Sequence, residues 1–314
     1  MAISLNIPGS AGVSPALPLF LQTAAFWPVW RWYAARATDS SDDAWGWVAL
    51  LTAAVLLVRF NSESNQQSSP PNLLLPALLT LGYAVSFPFV TPLPRALLAM
   101  TAIAATLSAY CFRSKFQLSF CGLLLLSLPL MASLQFYLGY PLRSAVAAMT
   151  APILQLGGLS VIREGTCLNW SGRLISVDAP CSGVKMLWTG MFLCFTLACW
   201  FRLSWRRTIA AAALSFATIV LGNTLRSVAL FYLEAGIFTL PERFSEPAHS
   251  AVGVMMFLLT AIAIAAVNAR MKAAPTSGTN ADQLIHRRGA KNAEAVQSLG
   301  DLSAKPLRYS APLR

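Results

Sequence analysis

Three residues able to do acid–base or nucleophilic chemistry stand at the margins of apolar runs in this chain. They are Cys181 in VDAPCSGVKML, Arg226 in VLGNTLRSVALFYLEAG and His249 in SEPAHSAVGVMMF. A thiolate is a nucleophile, an imidazole transfers protons near neutral pH, and a guanidinium can hold a carboxylate or an oxyanion. If the fold brings the three together, their side chains suit acyl transfer.

Cys181 precedes an apolar run that we predict to be a helix. The unpaired N–H groups and positive dipole of a helix start lower the pKa of a thiol. Lys185 lies four residues on, on the same helix face, where it could add positive charge or simply extend toward the interface. Ser182 and Lys185 are therefore supporting candidates, and packing, a disulfide with Cys167 or metal ligation remain alternatives for Cys181.

The other cysteines lie within apolar sequence and are predicted to pack as small apolar residues. They are Cys111, Cys121, Cys194 and Cys199. The chain contains no CxxC pair and no Cys/His metal spacing, so we expect no metal and no cofactor.

An arginine inside an apolar run is costly in a membrane unless it faces a polar interior or extends to the interface. Arg226 is such a residue, and Asn223, one turn earlier, could orient it. His249 has a plainer interpretation as a helix cap or an interfacial residue. His286 is the chain's other histidine and falls in its polar tail.

The composition indicates a membrane protein. Of 314 residues 56% are hydrophobic and 11% are charged, whereas soluble domains carry about 25% charged residues. The net charge of +11 is not evidence for nucleic-acid binding, because the basic residues lie in short loops and the tail, where they report membrane topology.

Hydropathy predicts an all-α polytopic protein with about eight transmembrane helices, since a span needs about 20 mostly apolar residues. The interval 138–180 is predicted to form an extracytoplasmic interfacial helix followed by a strand hairpin. We divide the chain into a membrane domain, 1–268, and a basic, disordered cytoplasmic tail, 269–314. The predicted spans are residues 15–35, 44–60, 72–91, 93–112, 116–137, 182–201, 207–233 and 249–268.

Basic residues predict the orientation, because short cytoplasmic loops are enriched in Lys and Arg. The segments 112–116, 201–207 and 268–272 are basic and are assigned to the cytoplasm, with both termini. Cys181, Arg226 and His249 then reach the outer face at similar depth, although none of them was used to draw the topology.

In this order, VDAPCSG, NTLR and HSAVG (His249 to Gly253) resemble the motifs of the exosortase/archaeosortase family of membrane transpeptidases. The resemblance is good over residues 115–268 and extends to the first hundred residues only as hydropathy. Two features depart from the family's pattern. Pro180 stands where many members have a small residue, and the tail 269–314 lies outside the core motif region.

The resemblance implies a cysteine enzyme of the bacterial inner membrane whose active site faces the periplasm or exterior. Its partners would be exported proteins with a C-terminal sorting signal, made of a Pro-Glu-Pro-like motif, a transmembrane helix and a basic cluster. Cys181 would form an acyl-enzyme, His249 would transfer the proton, and Arg226 would stabilise negative charge. No metal, cofactor or nucleic acid is implied.

Two other functions compete with this interpretation. A membrane transporter or flippase could use Arg226 to bind an anionic lipid or solute, and Cys181 would then matter little. A thiol–disulfide carrier could use Cys167 and Cys181 but would lack a CxxC pair. The acceptor nucleophile, the cognate substrate and the oligomeric state do not follow from the sequence.

Overall fold

The computed structural model describes residues 16–38, 45–63, 72–112, 116–176, 183–238 and 241–273. The chain divides into two units, 1–272 and 273–314, and all described residues except Ala273 belong to the first. The helices in these ranges are α1 (Ala16–Ala25), α2 (Trp27–Ala37), α3 (Gly46–Glu63), α4 (Leu74–Ser86), α5 (Pro92–Cys111), α6 (Leu118–Leu126), α7 (Met131–Leu156), α8 (Val184–Trp200), α9 (Trp205–Glu234) and α10 (Glu242–Ala273), and the strands are β1 (Val161–Glu164), β2 (Cys167–Trp170) and β3 (Arg173–Ser176).

Each of the eight apolar segments contains helix, so the helical class is confirmed. Within the described residues, α5, α9 and the Glu246–Ala273 part of α10 are long and apolar enough to cross a membrane. The consecutive helices α6 and α7 add a fourth candidate if the bent pair is one span. The remaining apolar helices, α1, α3, α4 and α8, are shorter, and the count of eight spans stays a prediction.

The first predicted span is two helices separated at Phe26. Pro28 in the first turn of α2 lacks a backbone N–H, and the chain turns there while the amide of Phe26 still donates to the carbonyl of Gln22 at 2.9 Å. Phe26 is fully buried at this break. The break thus anchors α1 and α2 to the N-terminal core.

The predicted span 116–137 is wrong as a single straight helix. The chain breaks after α6 and resumes as α7 at an angle of 100°. Pro129 lies in the break, where its missing N–H and fixed φ disfavour continuous helix. The segment predicted to form an interfacial helix is helical as the continuation of α7, which runs through Pro141 and Pro152 to Leu156, and its position at the interface stays a prediction.

The strand pairing predicted before Cys181 is present and extends to a three-stranded antiparallel sheet in the order β1-β2-β3. Ser171 and Gly172 both have positive φ between β2 and β3, which is the requirement of a two-residue type I′ turn. Val161 and Leu168 are buried against α7 and α9, beside Leu154 and Phe231. This packing attaches the end of the sheet to the helices.

Helices α8, α9 and α10 meet at two glycines. A Cβ on Gly190 of α8 would lie 2.6 Å from Ile219 of α9 and 3.2 Å from Ile264 of α10. One on Gly222 of α9 would collide with the hydroxyl of Thr260 on α10. Small residues allow such close approach between membrane helices, and α10 approaches α8 and α9 at these two positions, just below the candidate site.

Candidate functional site

The beginning of α8 packs against α9 through Gly183 and Asn223. Gly183 caps the helix with φ +77, and a Cβ built there would lie 2.7 Å from Nδ2 of Asn223. The contact therefore needs glycine twice, for the left-handed conformation and for the space. Asn223 is 3% exposed. Cys181 and Ser182, immediately before Gly183, lie outside the described residues.

One turn above Asn223, the side chain of Arg226 lies against α10. A Cβ on Gly253 would stand 3.5 Å from its Nη2 and 3.6 Å from its Nε. That Nε is buried and has no hydrogen-bond partner in the described part of the chain. An unsatisfied donor on a cation is unfavourable unless it meets an acceptor, so Arg226 is equipped to hold an anionic group.

His249 lies beside Glu234, the last residue of α9, with 3.6 Å between Nε2 and Oε1. The two side chains are 40% and 42% exposed. A pair this open contributes little to stability, but a carboxylate can orient an imidazole used for proton transfer. The prediction that His249 begins its helix is wrong, because α10 starts at Glu242 and His249 lies within it.

Lys185, in the first turn of α8, is exposed. Its side chain therefore lies on the outer surface of the helix, as expected for either of the two roles considered.

The contacts connect the predicted site residues across three helices. Gly183 touches Asn223, Arg226 touches Gly253, and His249 faces Glu234. Asn223 and Arg226 are three residues apart on α9 and thus share one face. The sequence analysis missed Glu234, although a carboxylate at a helix C-terminus, where the dipole disfavours it, was a signal that it had another partner.

The remaining cysteines carry free thiols. Cys121, Cys194 and Cys199 are buried in the hydrophobic clusters and Cys111 is half-buried, as their predicted packing role requires. Cys167 is also a free thiol. The disulfide and the thiol–disulfide carrier both also need Cys181, which lies outside the described residues, so both stay alternatives.

The fold and these contacts define a helical membrane protein with a polar cluster at one end of its last three helices. Comparison with family models matches residues 25–266 to the transmembrane exosortases. The match spans well over half of the chain, and the protein belongs to the transmembrane exosortase family. No curated protein and no solved structure matched the chain.

Proposed function

We propose that the protein is a cysteine transpeptidase that cleaves Pro-Glu-Pro-like C-terminal sorting signals of exported proteins through an acyl-enzyme on Cys181. The observation that carries the proposal is the packing of Gly183, Arg226 and the His249-bearing helix at one end of α8, α9 and α10. Membership of the exosortase family supports the same chemistry.

The chemistry needs a nucleophile beside these groups, and chain connectivity limits where Cys181 can be. It precedes Gly183 by two residues, and consecutive Cα atoms lie about 3.8 Å apart. The Cα of Cys181 is therefore within roughly 7.6 Å of that of Gly183, which touches Asn223. The proposal has the thiol meet the cluster within that reach.

In the proposed reaction the thiolate of Cys181 attacks the carbonyl carbon of the scissile peptide bond. Negative charge develops on the carbonyl oxygen, which the guanidinium of Arg226 stabilises. The C–N bond breaks, the leaving amine takes a proton from His249, and a thioester forms. A second nucleophile gives its proton to His249, attacks the thioester and releases the thiolate.

The substrate's own membrane helix supports this assignment physically. A protein anchored in the bilayer presents its cleavage motif at a fixed depth, which reduces the entropy lost on meeting the thiol. We place the site on the outer side of the bacterial inner membrane, with eight spans and both termini in the cytoplasm, because the basic loops favour that orientation.

The test is co-expression of a candidate substrate bearing such a C-terminal tail with wild type or Cys181→Ser. We expect wild type to shorten the substrate and Cys181→Ser to leave it intact, as measured by immunoblot. The matched control is Cys167→Ser, since Cys167 is a half-buried free thiol in β2, upstream of Cys181. It should process normally.

Enzyme levels in the membrane fraction are compared by immunoblot of the same cells. If Cys181→Ser processed the substrate as well as wild type does, Cys181 would be excluded as the nucleophile. If Arg226→Ala alone abolished function in that case, an anion transporter or flippase would explain the site better.

A further inference from the structure

A second polar site lies in the N-terminal half, far along the chain from the residues discussed above. It is a cavity of about 80 Å³ between α2, α4 and α5. Tyr83 and Arg95 bring the hydrogen-bonding groups, and no carboxylate lines it. The lining residues are Pro28, Val29, Trp32, Tyr83, Pro92 and Arg95.

The ring of Tyr83 is held firmly. Phe26 meets it edge-on with 4.6 Å between centroids, Phe87 contacts it at 6.1 Å, and the residue is 4% exposed. Its hydroxyl is buried and has no hydrogen-bond partner in the described residues. A phenylalanine would make the same ring contacts, so the hydroxyl is a donor whose acceptor is not part of the described chain.

Arg95 provides the positive charge. Its Cζ stands 4.6 Å from the centroid of Phe87, while its Nε is buried without a partner in the described residues. A cation within a membrane-spanning segment normally pairs with an anion or lines a polar cavity. Here the cavity is present, and its lining carries no acidic side chain.

Tyr83 and Arg95 both line the cavity and both carry an unpartnered donor in the described residues, and an anion with at least two acceptor oxygens would satisfy both. The guanidinium fork matches phosphate geometry. By the same measure a cavity of about 10–15 Å³ holds one water, so this cavity has room for a small group of several heavy atoms. Arg95 lies in the first turn of α5, a candidate span, so the cavity is near the membrane surface, at the level of lipid headgroups.

We propose that the Arg95–Tyr83 cavity binds a phosphate group, supplied by the headgroup of a membrane phospholipid or by free phosphate. The site is independent of the transpeptidase reaction. It adds a lipid or anion contact that joins α2, α4 and α5 through one ligand.

The experiment follows thermal unfolding of the detergent-purified full chain by tryptophan fluorescence. The probes are dihexanoyl phosphatidylglycerol, dihexanoylglycerol with the same chains and no phosphate, inorganic phosphate, and sodium chloride at matched ionic strength. A ligand that binds only the folded state raises the midpoint in a saturable manner. We expect such a rise of several degrees with the phospholipid and none with dihexanoylglycerol or chloride.

Inorganic phosphate separates the two sources. A saturable rise with phosphate as large as that with the phospholipid identifies free phosphate as sufficient. A rise with the phospholipid alone identifies the lipid. Equal effects of dihexanoylglycerol and the phospholipid, a rise with chloride as large as that with phosphate, or no saturable rise with any probe, would overturn the proposal.

Variants locate the binding. Tyr83→Phe keeps the ring and removes the hydroxyl, and we expect about tenfold weaker binding, the effect of losing a hydrogen bond to a charged group. Arg95→Gln should abolish the saturable rise. The matched control Tyr110→Phe removes a buried, similarly unpartnered hydroxyl at the other end of α5.

The matched arginine control is Arg59→Gln, because Arg59 also stacks on an aromatic ring, that of Trp200, at 3.7 Å. Both controls should bind as wild type does. Wild-type binding by Tyr83→Phe and Arg95→Gln would exclude this cavity. If Arg95→Gln does not fold, Tyr83→Phe alone decides.

Discussion

The guanidinium of Arg226 lies over Gly253, with 3.7 Å between Cζ and the position a Cβ would occupy there. Gly253 is four residues after His249, and residues at that spacing share one face of a helix. The contact therefore also turns the His249 face of α10 toward α9. The packing of Arg226 on Gly253 therefore orients His249, the proposed proton donor.

Enlarging Gly253 should displace Arg226 in proportion to the added volume. Alanine would make ordinary contacts at 3.5–3.7 Å, so Gly253→Ala should process substrate nearly as well as wild type. Gly253→Leu should reduce processing by tenfold or more, roughly the cost of misplacing one charge-stabilising group. The measurement is the initial rate of substrate shortening.

Gly82→Leu is the control for Gly253→Leu, because a Cβ on Gly82, within α4, meets nothing within 4 Å. It should retain wild-type processing. Equal losses in both leucine variants would mean that helix content, and not the position of Arg226, is responsible.

A side chain at Gly183 should disturb the site through Asn223. Gly183→Ala places a Cβ 2.7 Å from Nδ2 of Asn223 and forces alanine to φ +77, which costs about 1–2 kcal/mol for an L-residue. We expect a large loss of processing with the protein still in the membrane. Immunoblot of the substrate measures processing, and membrane fractionation measures the amount of inserted protein.

Gly158→Ala separates strain from contact. Gly158 has φ +85 and nothing within 4 Å of its Cβ position, so this variant carries the strain alone. Processing by Gly158→Ala is expected near the wild-type level. A loss as severe as in Gly183→Ala would mean that backbone strain, and not the contact with Asn223, explains the effect of Gly183→Ala.

Removing the charge of Glu234 should slow proton transfer without unfolding the protein. Glu234→Gln keeps the size of a side chain that is 42% exposed, so stability should change by less than about 0.5 kcal/mol. We expect roughly tenfold slower processing, at the low end of general acid–base effects. Glu164→Gln, which changes an exposed carboxylate bonded to Asn169 on the sheet, should have no effect on rate.

A double variant, Glu234→Gln with His249→Ala, tests whether Glu234 acts through His249. If the carboxylate acts through the imidazole, adding Glu234→Gln to His249→Ala should cause no further loss. A multiplicative loss in the double variant would show that Glu234 acts separately from His249.

Packing below the site should be intolerant of a single methyl group at Gly222. Glycine to alanine within a helix normally stabilises by about 1 kcal/mol, but here the methyl collides with the hydroxyl of Thr260. Gly222→Ala should therefore destabilise by about 1–3 kcal/mol, whereas Gly82→Ala should not. Unfolding midpoints in detergent measure both.

Thr260→Ala should rescue most of that loss. The Thr260 hydroxyl donates to the carbonyl of Met256 in its own helix at 2.8 Å, so its removal alone costs little. A Gly222→Ala, Thr260→Ala double variant no more stable than Gly222→Ala would show that the collision is not the cause.

The sequence by itself determined the class of protein and supplied the candidate residues of the proposed site. Twenty-residue apolar runs cannot be mistaken for soluble helices, because no soluble core would accommodate so many of them. Basic loops and the order of VDAPCSG, NTLR and HSAVG pointed to Cys181, Arg226 and His249. Local patterns carry such information since hydropathy, charge and motif spacing are properties of neighbouring residues.

Only the tertiary structure decided which residues touch. The third strand, the early start of α10 at Glu242 and the size of the 100° bend after α6 are evident only in the tertiary structure, although Pro129 marks the place of that bend in the sequence. Glu234 beside His249 and Gly253 under Arg226 join residues that no spacing rule relates. Their approach is set by close packing at Gly190 and Gly222, where the absence of a side chain lets three helices meet.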